Sequence, residues 1–138
     1  VKILVIDGLG GSIGKSIVGR VRVEFGGAEI IAVGTNALAT SAMLKAGADF
    51  GATGENAVVH NSSRVDCIIG ALGIVLANSM HGEISPEIAK AVSGSLARKI
   101  LIPINSCNVV VTGVSVANMQ EHMGEIVRQL KQYCEEKI

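Results

Sequence analysis

The sequence predicts a three-layer α/β sandwich on a mostly parallel sheet of four or five strands, as one domain over its 138 residues. Three observations point there. Short β-branched runs without polar alternation, Ile3 to Ile6 and Ile30 to Val33, read as strands buried on both faces. Stretches of helical periodicity follow each of them, and parallel neighbours need such a helix to carry the chain back. The length leaves room for one hydrophobic core.

The first strand closes at Asp7 and Gly8. Beyond the glycines, Ile13, Ile17, Val18, Val21 and Phe25 recur at helical spacing with Lys15, Arg20, Arg22 and Glu24 between them, an amphipathic helix stopped by Gly26 and Gly27. After the second strand, Asn36 caps an Ala-rich helix through Leu38, Ala42, Met43 and Ala46 that ends at Gly47. Thr53 and Asn56 mark a short helix. Val65 to Ile69 reads as a third strand ending at Gly70, and Ala71 to Met80 as helix or irregular chain. Ser85 followed by Pro86 starts a helix to about Ser93. Lys99 to Ile104 is a fourth strand. Asn108 to Val111 follows too closely for a crossover helix, so an antiparallel edge hairpin is expected there. Asn118 and Glu121 form a capping box for the last helix, whose stripe of Met119, Met123, Ile126, Val127, Leu130 and Tyr133 covers one face of the sheet.

Composition excludes several function classes. Twelve Lys plus Arg balance twelve Asp plus Glu, so the field that draws polyanions is missing and nucleic acid is not an expected partner. Hydrophobic residues make up 49% of the chain and charged residues 17%, against roughly a quarter charged in an average domain, which excludes disorder. Only Phe25, Phe50 and Tyr133 are aromatic, too few for a stacking platform. Cys67, Cys107 and Cys134 are odd in number and lack a CxxC pair, which fits a reduced cytosol better than a disulfide framework. The longest apolar run, Cys67 to Ala77, falls short of the ~20 residues that span a bilayer. VKILVID lacks the cleavage pattern of a signal peptide. A soluble, cytoplasmic protein is expected. The high apolar share of so short a chain also predicts self-association, a homodimer by default.

The segment DGLGGSIGKS, Asp7 to Ser16, lies between the first strand and the first helix, where nucleotide-binding α/β folds place their phosphate loop. Gly8, Gly11 and Gly14 form a GxxGxxG pattern in place of the commoner GxGxxG. Gly8 lets the chain turn out of the strand, Gly11 lets amides approach a pyrophosphate, and Gly14 lets helix and strand pack closely. Gly10 and the Ser12 hydroxyl complete the loop. Lys15 in the first helical turn opposes the helix dipole unless an anion sits nearby; its alternative is to swing into water. Thr35 and Asn36 end the second strand where a ribose-binding acid is expected; they serve a ribose or phosphate, or else a turn and a cap. Gly70, at the end of the third strand, joins this set. Asp7 caps loop amides, holds a metal through water, or repels a phosphate. GKS at Gly14 to Ser16 also matches the end of a P-loop, but the first glycine that motif requires falls on Leu9, and Asp66 starts its strand instead of ending it.

For catalysis, His81 and Glu83 are acid–base candidates and Cys107, with Asn105 beside it, a candidate thiol at the strand ends. Each has a plain alternative, a surface turn for the first two and an inert buried thiol for the third. His60, His81 and His122 lack metal-ligand spacing, and no metal site is predicted.

VIDGLGGSIGKSIVGRV resembles the phosphate loop of extended short-chain dehydrogenases and dihydrodipicolinate reductases, over about a sixth of the chain. That resemblance implies NAD or NADP, yet no acid follows the second strand and no TyrxxxLys pair is present. TNALATSAMLKAGA, ATGENA and GEISPEIA resemble an uncharacterised family of small bacterial Rossmann-like proteins, which implies a fold and no activity. The expectation is therefore a Rossmann-like domain that binds a nucleotide or phosphorylated small molecule at Gly8 to Lys15, with NAD(P)-linked oxidoreduction as the first guess if it is an enzyme. The alternatives are a non-catalytic ligand-sensing or scaffold protein and an atypical P-loop NTPase.

Overall fold

In a computed structural model describing residues 1–104, 108–115 and 117–137, the first strand, β1 (Lys2–Asp7), is buried at five of its six positions and lies mid-sheet. Its alternating side chains divide the core. Ile3 and Val5 pack on one face and Leu4 and Ile6 on the other, which is why the run shows no polar alternation.

Strand β2 (Glu29–Gly34) pairs with β1 along its whole length, from Lys2 opposite Glu29 to Asp7 opposite Gly34. Beyond it lies β3 (Phe50–Thr53), and on the other flank β4 (Cys67–Ala71) and then β5 (Arg98–Ile102). All four pairings are parallel, in the order β3-β2-β1-β4-β5. Helices α1 (Ser12–Glu24), α2 (Ala37–Ala46) and α5 (Met119–Glu136) cover one face through Ile17, Val18, Val21, Met43, Met123, Ile126 and Leu130. Helices α3 (Glu55–Ser62) and α4 (Pro86–Ser93) cover the other through Val58, Ile88, Ala89 and Val92. This is the predicted three-layer α/β sandwich, and no described helix is long and apolar enough to cross a membrane.

The caps follow the local code. The side chains of Asn36, Ser85 and Asn118 accept from the amides of Ala39, Ile88 and Glu121, and Pro86 opens α4. Some expectations change, among them the fourth predicted strand, which spans Arg98–Ile102 instead of Lys99 to Ile104. Strand β3, absent from the sequence reading, is a short exposed strand defined by its pairing with β2. The third predicted strand starts two residues late, at Cys67, and runs on through Gly70 to Ala71. The antiparallel hairpin at Asn108 to Val111 is corrected: these residues form no strand. Beyond β5, Pro103 lacks an amide to donate and the Ile104 amide turns back onto the Ile102 carbonyl at 2.8 Å, which leads the chain out of the sheet. Val110 is then 86% exposed and Val111 42%, so little apolar burial supports a strand there. The stretch Ala71 to Met80 contains one 3₁₀ turn, Leu72–Val75, and then irregular chain.

Candidate functional site

Order β3-β2-β1-β4-β5 makes the chain leave β1 toward one edge and β4 toward the other, so a crevice opens above their carboxyl ends. A cavity of about 550 Å³ lies there. Its floor is the glycine loop from Asp7 to Ile13, and its walls are Ala71, Gly73, Asn78, Met80, His81 and Ile104.

The floor is held by two carboxylates. Asp7, 4% exposed, accepts the Gly8 amide at 2.8 Å on one oxygen and the Gly14 amide at 2.6 Å on the other. Of the three roles set out for it, the structure places Asp7 in the first, capping the loop. Burial raises its pKa above the ordinary aspartate value; the Gly14 and Gly8 amides oppose the shift and the charge of Glu83 adds to it. Glu83 arrives from the segment before α4. One of its oxygens accepts the Leu9 amide at 2.6 Å and the Thr35 hydroxyl at 2.7 Å, and the Asn36 side-chain amide lies 3.2 Å from the other. Those donors, with Leu9 foremost, hold Glu83 below the usual glutamate range.

Three of the loop glycines sit where a side chain has no room. A Cβ on Gly8 would stand 2.5 Å from the Glu83 carboxylate, one on Gly11 2.8 Å from the Ala39 Cα, and one on Gly14 2.6 Å from the Met43 sulfur. Gly11 has φ 77°, so it needs glycine for conformation as well as for space. Its missing side chain also lets the start of α1 approach α2 closely. Gly14 packs helix on strand as expected. Gly10 differs, since a Cβ there would meet nothing within 4 Å. The Gly11 amide donates to the Gly8 carbonyl at 2.9 Å, and among the described residues the amides of Gly10 and Ser12 have no acceptor.

Of the predicted site residues, Gly8, Gly10, Gly11, Ser12 and His81 line the cavity. Lys15 is exposed and outside the lining, as its solvated alternative requires. Thr35 and Asn36 bond Glu83, and Asn36 also caps α2, which favours the cap over the ribose role. Gly70, the penultimate residue of β4, is buried against the Ile6 carbonyl and Ile74. Cys107 and Asn105 lie outside the described residues. Among the described residues no group of three His, Cys, Asp or Glu could hold a metal.

Sequence reasoning missed Leu9, Asn78 and Met80. With His81 they are four of the five non-glycine residues at positive φ among the described residues, at 50°, 67°, 55° and 56°. All four line this cavity. Asn78 and Gly82 were weak cues, because Asn and Gly tolerate such backbone; nothing local marks Leu9 or Met80.

A family model described as a domain of unknown function, DUF3842, matches residues 2–135. Such a family is what TNALATSAMLKAGA and GEISPEIA imply. No curated protein matches the chain. Among solved structures, a dodecameric FMN-dependent UbiX-like decarboxylase from Escherichia coli O157:H7 is 18% identical, covering 91% of this chain and 75% of that one, with a TM-score of 0.45.

Proposed function

We propose that this chain, which belongs to the DUF3842 family, binds a mononucleotide or a phosphorylated molecule of that size in the cavity above β1 and β4. One observation carries the reading: Leu9, Asn78, Met80 and His81, each in left-handed backbone, surround a single cavity. Such conformations cost about 1–3 kcal/mol each and persist where the surrounding structure imposes them, most often around ligands. The volume lies within the range of about 300–1,000 Å³ common for small-molecule sites.

The loop's remaining hydrogen-bonding capacity favours one phosphate over two. Gly10 and Ser12 line the cavity, their amides have no acceptor among the described residues, and a single phosphate suits them. A pyrophosphate needs more of the loop, but Asp7 and Glu83 already hold the amides of Gly8, Leu9 and Gly14 and add negative charge. NAD or NADP therefore ranks below a mononucleotide. Leu9, Ile13, Met80 and Ile104 offer an apolar bed for a ring, and Asn78 and His81 offer polar groups at its edge. The P-loop reading loses support, since Lys15 points to solvent and Asp66 bonds the Lys2 amide at the opposite end of the sheet.

Binding, with or without turnover, is thus the common ground of the enzyme and sensor readings. The test is a thermal-shift panel of flavin mononucleotide, AMP, GMP, NAD, NADP and ATP. A ligand at a hundred times its Kd adds ~2.7 kcal/mol of stability. A mononucleotide should raise the Tm of the native chain and leave Gly10→Val unmoved, while the unliganded variant melts like the parent because its new side chain meets open space. Silence across the panel, or a shift that survives in Gly10→Val, rejects the reading. A larger shift with NAD than with any mononucleotide restores the dinucleotide.

A further inference from the structure

Three of the cavity's wall residues, Asn78, Met80 and His81, sit on one strap that runs from the 3₁₀ turn to α4. Two buried anchors bracket its tip. The Ser79 hydroxyl donates to the Gly73 carbonyl at 2.5 Å, and Ile84 is fully buried in the core beneath α4. Between them, the backbone bonds of Met80 to Glu83 stay inside the strap: the Gly82 amide donates to the carbonyls of Asn78 and Ser79, and the Glu83 amide to that of Met80. Among the described residues, every hydrogen bond from this tip to the rest of the protein ends on the Glu83 carboxylate.

We propose that the tip Met80–Glu83 is a lid on the cavity and that the Glu83 carboxylate, seated on Leu9, Thr35 and Asn36, is its latch. The seat spans two separate loops, the one after β1 and the one after β2, so the latch joins the lid to both sides of the crevice mouth. Gly8 is part of the same device. A Cβ there would meet the Glu83 carboxylate at 2.5 Å, the Thr35 hydroxyl at 2.6 Å and the Met80 sulfur at 3.0 Å. All three are side-chain atoms. Gly8 has no positive φ, so alanine at this position displaces the latch without straining its own backbone. The left-handed Met80, His81 and Gly82 give the released tip other backbone conformations to relax into. What the lid covers rests on the ligand reading above; that it is latched does not.

Hydrogen–deuterium exchange on the full chain tests the latch without a ligand. Glu83→Ala and Gly8→Ala should each speed exchange at Leu9, Gly82 and Glu83 by ~10-fold or more, with β1 and β4 unchanged. The two sites are 75 residues apart in sequence but act on one contact, so the double variant should exchange no faster than either single one. Glu83→Gln keeps an acceptor for the Leu9 amide and should fall between parent and Glu83→Ala. Unchanged exchange at the tip in Glu83→Ala, or additive effects in the double variant, overturns the latch. At least one of flavin mononucleotide, AMP and GMP, added to the native chain, should slow exchange at residues 80–83. If none does while both variants open the tip, the ligand reading fails and the latch stands.

Discussion

At the amino-terminal end of the sheet, carboxylates meet cations. Asp49 lies 2.7 Å from Arg22, Glu136 2.8 Å from Arg98 and Glu29 3.4 Å from Lys2, all with partly exposed side chains. At the carboxyl-terminal end, Asp7 and Glu83 meet main-chain amides, a hydroxyl and a side-chain amide, and among the described residues neither has a salt-bridge partner. Exposed ion pairs contribute about 0–1 kcal/mol and tolerate rearrangement. Carboxylates bonded to amides fix the course of a loop instead, and here they hold one that carries strained backbone. The first end is arranged for general stability and the second for a defined shape.

The largest effect that bears on this contrast is expected at the loop. Gly11→Val puts a β-branched residue at φ 77° with its Cβ 2.8 Å from the Ala39 Cα, and should cost ~3 kcal/mol or more. Urea unfolding measures it, and a loss below ~1 kcal/mol would show that the crossing of α1 and α2 yields easily. At the other end, Arg22 donates to the carbonyls of Gly47, Gly26 and Ala28 as well as to Asp49, so Arg22→Ala should cost about 1–2 kcal/mol. Lys2→Ala, which removes one exposed pair, should stay within ~0.5 kcal/mol. Equal losses from the two would erase the distinction between an arginine that organises chain ends and an ordinary surface pair.

The smallest effect concerns acid. Glu83 titrates below its ordinary value of 4.5 in the fold, so its contribution is present above that pH and is lost as pH falls through the depressed value. Asp7 titrates above 3.8 in the fold, so its contribution has the opposite sign: full below 3.8 and lost as pH rises through the raised value. Unfolding free energies of parent minus Glu83→Gln should therefore increase with pH across this window, and those of parent minus Asp7→Asn should decrease. Parallel slopes would mean that the two carboxylates do not occupy the contrasting environments described.

Much of the fold was legible because its signals are short-range. The apolar run at Ile3 to Ile6, the periodicity from Ile13 to Phe25, the caps Asn36, Ser85 and Asn118, and the stop at Gly47 each involve neighbours within a few residues. The glycine loop was placed correctly for the same reason, and capping it was one of the three roles open to Asp7, next to it in the chain. Phe50–Thr53 escaped because an exposed four-residue strand with an internal glycine has no pattern of its own and exists through its pairing with β2. Val109 to Val111 misled for the converse reason: strand propensity makes no strand where the chain does not pair along the sheet edge.

Local pattern thus sufficed for the layers, most of the helices and the position of the loop, since hydrophobic period and capping depend on residues that are close in the chain. What holds that loop in place was decided by contacts across the fold. Glu83 reaches Leu9 over 74 residues and Thr35 over 48, and the left-handed strap bearing Met80 and His81 is held by the packing of Ser79 and Ile84. No propensity encodes such meetings, because they exist only after the strand order has brought the ends of β1, β2 and β4 side by side.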